Sequence, residues 1–128
     1  MAKRRSKKSP GKRKTSKTRA RRRNSSKDGK LSKEAVTLIV LLKAREAQET
    51  LLEAELRALV GPTRREEGCI RYDLHRDADA PRAYLLHEVW ASREHHRQHT
   101  LTPHFTRWNA RKDALLALRD VTFWTQVV

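Results

Sequence analysis

From residue 36 onward, the alternation of apolar and polar positions divides the chain into strands and helices. VTLIVLLKA, residues 36 to 44, is β-branched and apolar and predicts a strand. Val36, Leu38, Val40 and Leu42 fall on one of its faces, Ile39 and Leu41 on the other, so both faces need a partner. Residues 46 to 60 carry Leu52, Leu56, Leu59 and Val60 at the spacing of an amphipathic helix. Gly61-Pro62 is expected to interrupt that helix, with a second short helical turn from Thr63 to Glu67 before Gly68. CIRYDLHR, residues 69 to 76, sets Ile70, Tyr72 and Leu74 against polar neighbours and predicts a half-buried strand. After the turn-rich DADAPR, AYLLHEVW (83 to 90) predicts a third strand with Tyr84, Leu86, Glu88 and Trp90 on one face. Ser92 is a natural N-cap for a following helix, and Glu94 sits near its positive end. Thr102-Pro103 starts a further helix carrying Phe105, Trp108, Leu115 and Leu116. VTFWTQVV (121 to 128) closes the chain as a fourth strand.

The order β-α-β-β-α-β is that of a ferredoxin-like α+β fold. Helices of this order cover one face of the four-stranded sheet, yet the first strand is apolar on both. A second copy is the simplest partner for the other face, so a homodimer with its sheets packed face to face is expected.

Charge divides the chain differently. The formal net charge is +15 over 128 residues, room for one domain. Residues 1 to 33 hold 16 Lys and Arg against the single acid Asp28, whereas residues 34 to 128 hold 14 basic and 14 acidic residues. The net charge therefore belongs to the N-terminal quarter. That stretch has almost no apolar side chains with which to offset chain entropy, so a disordered basic tail is expected at 1–33 and a folded domain at 34–128. It lacks the apolar run of a secretory signal and the amphipathic face of a transit peptide. A charge run specifies only sign: the tail is either an arm for nucleic acid or another polyanion, or a solvated extension without a partner. Nothing in the chain predicts a membrane span. The single cysteine, Cys69, excludes an internal disulfide and fits a reducing, cytoplasmic compartment.

Candidate chemistry concentrates in HEVWASREHHRQHTLTPHF, residues 87 to 105, which holds five of the six histidines. His95 and His99 stand at i and i+4, a metal-compatible spacing, but the helix lacks the Glu of an HExxH motif, and His104 lies beyond a proline. No metal site is expected here. His95 and His96 read as solvated helix surface, His75 as strand surface, and His87 is unassigned. Glu88 shares an apolar stripe with Leu86 and Trp90, which calls for either a structural ion pair or a functional role. Trp90 and Tyr72 read first as core, with the Tyr72 hydroxyl reaching into a pocket.

Glu67-Gly68-Cys69 with Tyr72, then Glu88-x-Trp90, His99 and Pro103-His104-Phe105, in this order and spacing, resemble the antibiotic biosynthesis monooxygenase family, in particular its quinol monooxygenase-like members. The resemblance spans about residues 35 to 127 and omits the basic tail. It implies a ferredoxin-like dimer forming an α+β barrel. It also implies an oxygenase acting on a quinol or polyketide-type phenol with molecular oxygen and with no metal, flavin or other cofactor. His99 falls where the family commonly carries a histidine; its alternative is a packed histidine that caps the short helix or bonds a carboxylate. On this reading His99 or His104 takes the phenolic proton and Glu88 orients a histidine, while Trp90, Tyr72 and Phe105 bind the ring. Two departures narrow it. The pocket asparagine of some oxygenases has no counterpart near these motifs, and the haem-degrading members carry a Trp about where His99 stands. Haem degradation is not expected. An alternative of another class is a non-catalytic dimeric module whose basic tail does the binding.

Overall fold

The computed structural model describes residues 32–128, so the expectations placed on the basic tail lie outside the described residues but for its last two positions. The elements run β1 (Val36–Ala44), α1 (Glu49–Arg64), β2 (Cys69–Arg76), β3 (Ala83–Trp90), α2 (Arg93–His99), α3 (Pro103–Leu115) and β4 (Leu116–Trp124). The four strands form one antiparallel sheet in the order β2-β3-β1-β4, the ferredoxin-like arrangement expected from the element order.

The helices cover one face. Val36, Leu38, Val40, Leu42 and Ala44 of β1 are buried there, flanked by Tyr84, Leu86 and Trp90 of β3. Leu52, Leu56 and Leu59 of α1, with Trp108 and Leu115 of α3, close this core from above. Each buried Val or Leu side chain here contributes about 1.5–3 kcal/mol by leaving water. Both short connections into α2 and α3 are capped as their sequences predict: Ser92 Oγ accepts from His95 N at 3.1 Å, and Thr102 Oγ1 accepts from Phe105 N at 3.3 Å.

Three details depart from the sequence pattern. First, α1 does not stop at Gly61-Pro62 but runs through both to Arg64. Proline in the last turn removes only one helical N–H, and the fully buried Thr63 anchors the end of the helix. Arg65 N then donates to Pro62 O and Glu66 N to Thr63 O, closing the end with tighter turns. Second, β2 carries a bulge: Cys69 pairs with Trp90 and Arg71 with Val89, leaving Ile70 without a partner. The extra residue turns Ile70 out to solvent and puts Cys69 on the face of Tyr72 and Leu74. Third, β4 begins at Leu116 and ends at Trp124, because it pairs along β1 from Ala44↔Leu116 to Thr37↔Trp124 and β1 offers little beyond. Residues 125–128 are not part of the sheet. Among the described residues no helix is long and apolar enough to cross a membrane.

Glu53 ties α1 to the sheet. Its carboxylate accepts from Arg76 of β2 (2.7 Å to Nη2), from Arg57 and from the Tyr84 hydroxyl, and these bonds, that with Arg76 foremost, hold its pKa at about 2. The folded-state value lies below the unfolded one of about 4.3, so the stabilisation is full above that pH and is lost as pH falls towards 2. Wild type and Glu53→Gln should therefore differ in thermal midpoint at pH 7 and converge as pH is lowered from about 5 to 2. A gap constant across that range would contradict the assignment.

Candidate active site

The end of α1, the end of β3, α2 and the start of α3 converge on one imidazole. His99, the last residue of α2, is 1% exposed. Its Nδ1 lies 2.7 Å from Glu66 Oε2, and the same carboxylate oxygen lies 2.6 Å from His104 Nε2. Thr102 Oγ1 donates to the His99 carbonyl at 2.7 Å and approaches His104 Nε2 at 3.3 Å, so the cap of α3 and the histidine pair share one network.

A carboxylate only accepts, so Nδ1 of His99 and Nε2 of His104 both carry hydrogen and donate to Glu66. This fixes the His99 tautomer and leaves Nε2 as its basic nitrogen. Among the described residues the side-chain hydrogen bond of His99 is made through Nδ1, and none is made by Nε2. The ring itself is clamped: Trp90 lies 4.8 Å away between centroids, Phe105 stands edge-on at 5.0 Å, and Tyr72 edge-on at 5.7 Å.

His99 lines a cavity of about 70 Å³ between the sheet and α2–α3. Leu38, Val40 and Leu42 form its floor, Phe105 and Trp108 its roof, and Tyr72, Glu88, His96 and Arg119 supply polar groups. At that size it holds a few waters or a diatomic gas. Glu88 is 4% exposed, and burial raises its pKa from the ordinary carboxylate value, opposed by the Trp90 indole N–H, which donates to Oε1 at 2.9 Å. Burial likewise pushes the Tyr72 phenol well above its ordinary value. Cys69, behind the site, is raised to about 12, chiefly by burial and then by the Glu66 and Glu88 charges.

The residues singled out in the sequence are thus brought to one place with different duties. His99, Glu88, Tyr72 and Phe105 line the cavity. Trp90 stands behind His99 and holds Glu88, and His104 stands at the far side of Glu66. Glu88 bonds no histidine; the carboxylate that orients the imidazoles is Glu66, which the sequence pattern did not single out. Its separation from its partners by 33 and 38 positions hides it, although it directly precedes the Glu67-Gly68-Cys69 motif. His96, expected on the surface, lines the cavity instead. Burial lowers its pKa to about 4, and its ring meets Phe123 edge-on at 5.5 Å. His95 turns away to Ser92 Oγ, 2.8 Å from its Nδ1, and packs over Gly68, so the i, i+4 histidine pair does not converge.

Glu66, His99 and His104 are the one trio among the described residues whose donor atoms lie close enough, within 4.8 Å, to share a metal ion. Their donors already bond one another at 2.6 and 2.7 Å. Two ligands about 2.1 Å from a tetrahedral ion stand about 3.4 Å apart, so an ion would have to open this triad.

The sequence pattern described as antibiotic biosynthesis monooxygenase matches residues 35–111, more than half of the chain. The chain belongs to the antibiotic biosynthesis monooxygenase family. "Putative monooxygenase Rv0793" of Mycobacterium tuberculosis is 35% identical over 81 residues, covering 63% of this chain and 79% of that protein. Its solved structure superposes with a TM-score of 0.70 over 73% of this chain and 96% of its own, at 32% identity. PA3566 from Pseudomonas aeruginosa gives 0.73, with 34% identity, over 78% of this chain and all of its own. All of the site lies within the stretch matched to the family except Arg119, Val121 and Phe123, which β4 adds.

Proposed function

We propose that the domain is a cofactor-independent monooxygenase that oxidises a quinol or a polyketide-type phenol with molecular oxygen. The observation that carries this reading is the buried Glu66–His99 pair, with its free imidazole nitrogen, on an apolar cavity. Triplet oxygen reacts slowly with closed-shell phenols but accepts an electron from phenolates. The protein's task is then to remove a proton in a dry site and hold the ring. His99 Nε2 takes the phenolic proton, and Glu66 stabilises the imidazolium that forms while holding it in register. The electron-rich ring reduces oxygen, and the two combine as a ring-carbon peroxide. The imidazolium returns its proton to the peroxide. The neutral imidazole then takes the C–H proton from the same carbon as the O–O bond breaks, and passes it to the departing hydroxide, which leaves as water. The net change is the loss of one phenolic O–H and one ring C–H hydrogen with O₂, giving a C=O at that carbon and H₂O, with the substrate supplying all the electrons. Glu88, whose protonated form burial favours, stands on the same cavity as a second proton donor.

The cavity is well below the few hundred Å³ of most ligand sites, so an aromatic ring enters by displacing its walls. One of these walls is His96, whose ring meets Phe123 edge-on, with Arg93 4.4 Å from the Phe123 ring centroid. Oxygen uptake by the full chain, chelator-treated, over a panel of quinols and hydroxylated polycyclic phenols tests the reading. Uptake above autoxidation and indifferent to the chelator supports it; none across the panel overturns it.

The proposed active form is a homodimer joined through the open face of the sheet. That face presents Leu41, Leu118 and Trp124, which are 42%, 50% and 57% exposed, beside Ile39 and Leu85. A contiguous patch of this kind calls for a partner. Leu41→Glu with Leu118→Glu should give a folded monomer by light scattering where wild type is a dimer. A monomeric wild type would refute the assembly.

A further inference from the structure

The cavity's walls contain one guanidinium, Arg119, which shares them with the Glu88 carboxyl but bonds no carboxylate among the described residues. Arg119 lies on β4 opposite Leu42, and strand alternation puts it on the same face as Val121 and Phe123, the face the helices cover. The adjacent carboxylate, Asp120, falls on the other face opposite Leu41 and cannot pair with it. Several arginines find carboxylates, Arg57 and Arg76 at Glu53, Arg64 at Asp73 and Arg97 at Glu94, while Arg65, Arg82 and Arg93 form no ion pair among the described residues and do not line the cavity. Among the described residues Arg119 has neither an ion pair nor a side-chain hydrogen bond, although it borders the cavity that His99 and Glu88 line. A guanidinium is always charged and offers a planar fork of donors suited to two oxygens. Set at the rim of an apolar cavity, it has the chemistry of a carboxylate anchor.

We infer that Arg119 makes this cavity selective for anionic aromatic ligands, phenols that carry a carboxylate on the ring or exist as the phenolate. The ring would lie among Leu42, Phe105 and Val121, its anionic group on Arg119 and its reacting hydroxyl toward His99. The inference rests on reading this cavity as the substrate site, and it names the class of substrate.

Two rings that differ in one group test it: 2,5-dihydroxybenzoate and hydroquinone, titrated into the full chain by calorimetry without oxygen. Wild type should bind the benzoate about ten- to a hundredfold more tightly, the increment expected of a charge-assisted hydrogen bond. Arg119→Gln should abolish that preference and leave hydroquinone binding unchanged, and Arg119→Lys should keep part of it, since charge remains but the fork is lost. Tighter hydroquinone binding at high pH, again lost in Arg119→Gln, would identify the phenolate as the anion instead. Equal affinities in wild type with no gain for hydroquinone at high pH, a preference that survives in Arg119→Gln, or no binding of either ring would each overturn the inference. Oxygen uptake with the same two rings separates the two proposals. Arg119-dependent binding with no uptake leaves this assignment standing and removes the oxygenase. Uptake indifferent to Arg119→Gln does the reverse.

Discussion

His99→Ala should lower kcat/KM for oxygen-dependent turnover by about 10²–10⁴-fold, the range over which a positioned general base acts. The loss should appear mainly in kcat, because the nitrogen removed acts on the proton in flight while the cavity walls that hold the ring remain. Glu66→Gln keeps the volume and removes the charge that orients His99 and His104. It should reduce the rate about ten- to a hundredfold, as loss of an orienting partner generally does. Because both residues serve one imidazole, the double variant should be little slower than His99→Ala alone. Additive losses would show that Glu66 acts apart from His99. Circular dichroism and light scattering on each variant separate chemistry from folding, since His99 also fills space between Trp90 and Phe105.

The second large effect concerns stability. Gly68→Ala should destabilise the domain by about 2–4 kcal/mol, summing the left-handed backbone penalty and an overpacked contact. Gly68 has φ of +86°, and an added Cβ would run into the His95 ring. That ring cannot swing freely, being held through Nδ1 to Ser92. The thermal midpoint should fall by about 10 °C or more for a domain of this size. Adding His95→Ala should recover the steric part and leave the backbone part, so a full rescue or none would contradict this division. Because Gly68 O also receives Ala91 N at 2.8 Å, the same substitution should displace α2 and slow turnover.

Local signals made much of this fold legible. The two-sided apolarity of β1, the stripe on β3, and the Ser92 and Thr102 caps each depend on neighbours in sequence. What escaped depends on contacts across the fold. Pro62 reads as a breaker, yet one missing N–H in a last turn is tolerated where Thr63 is buried. Ile70 looks like a member of an alternating strand until pairing with β3 inserts a bulge. The start of β4 is disguised by Arg119 and Asp120, polar residues whose place is set by β1. In the site, the cavity-facing histidine and the stripe glutamate could be singled out, but the Glu66 partnership could not. A carboxylate at a helix end has no periodic signature, and its partners lie two elements away.

The placement of Cys69 bears on durability. Only the thiolate reacts readily with peroxides, and a thiol whose pKa stands at about 12 is almost wholly protonated at neutral pH. The one other sulfur in the chain is the Met1 thioether. If the proposed oxygenation takes place, the peroxide formed within these walls has little sulfur nearby that it can scar. The domain would lose activity over many turnovers slowly, and through its aromatic and imidazole rings rather than through sulfur.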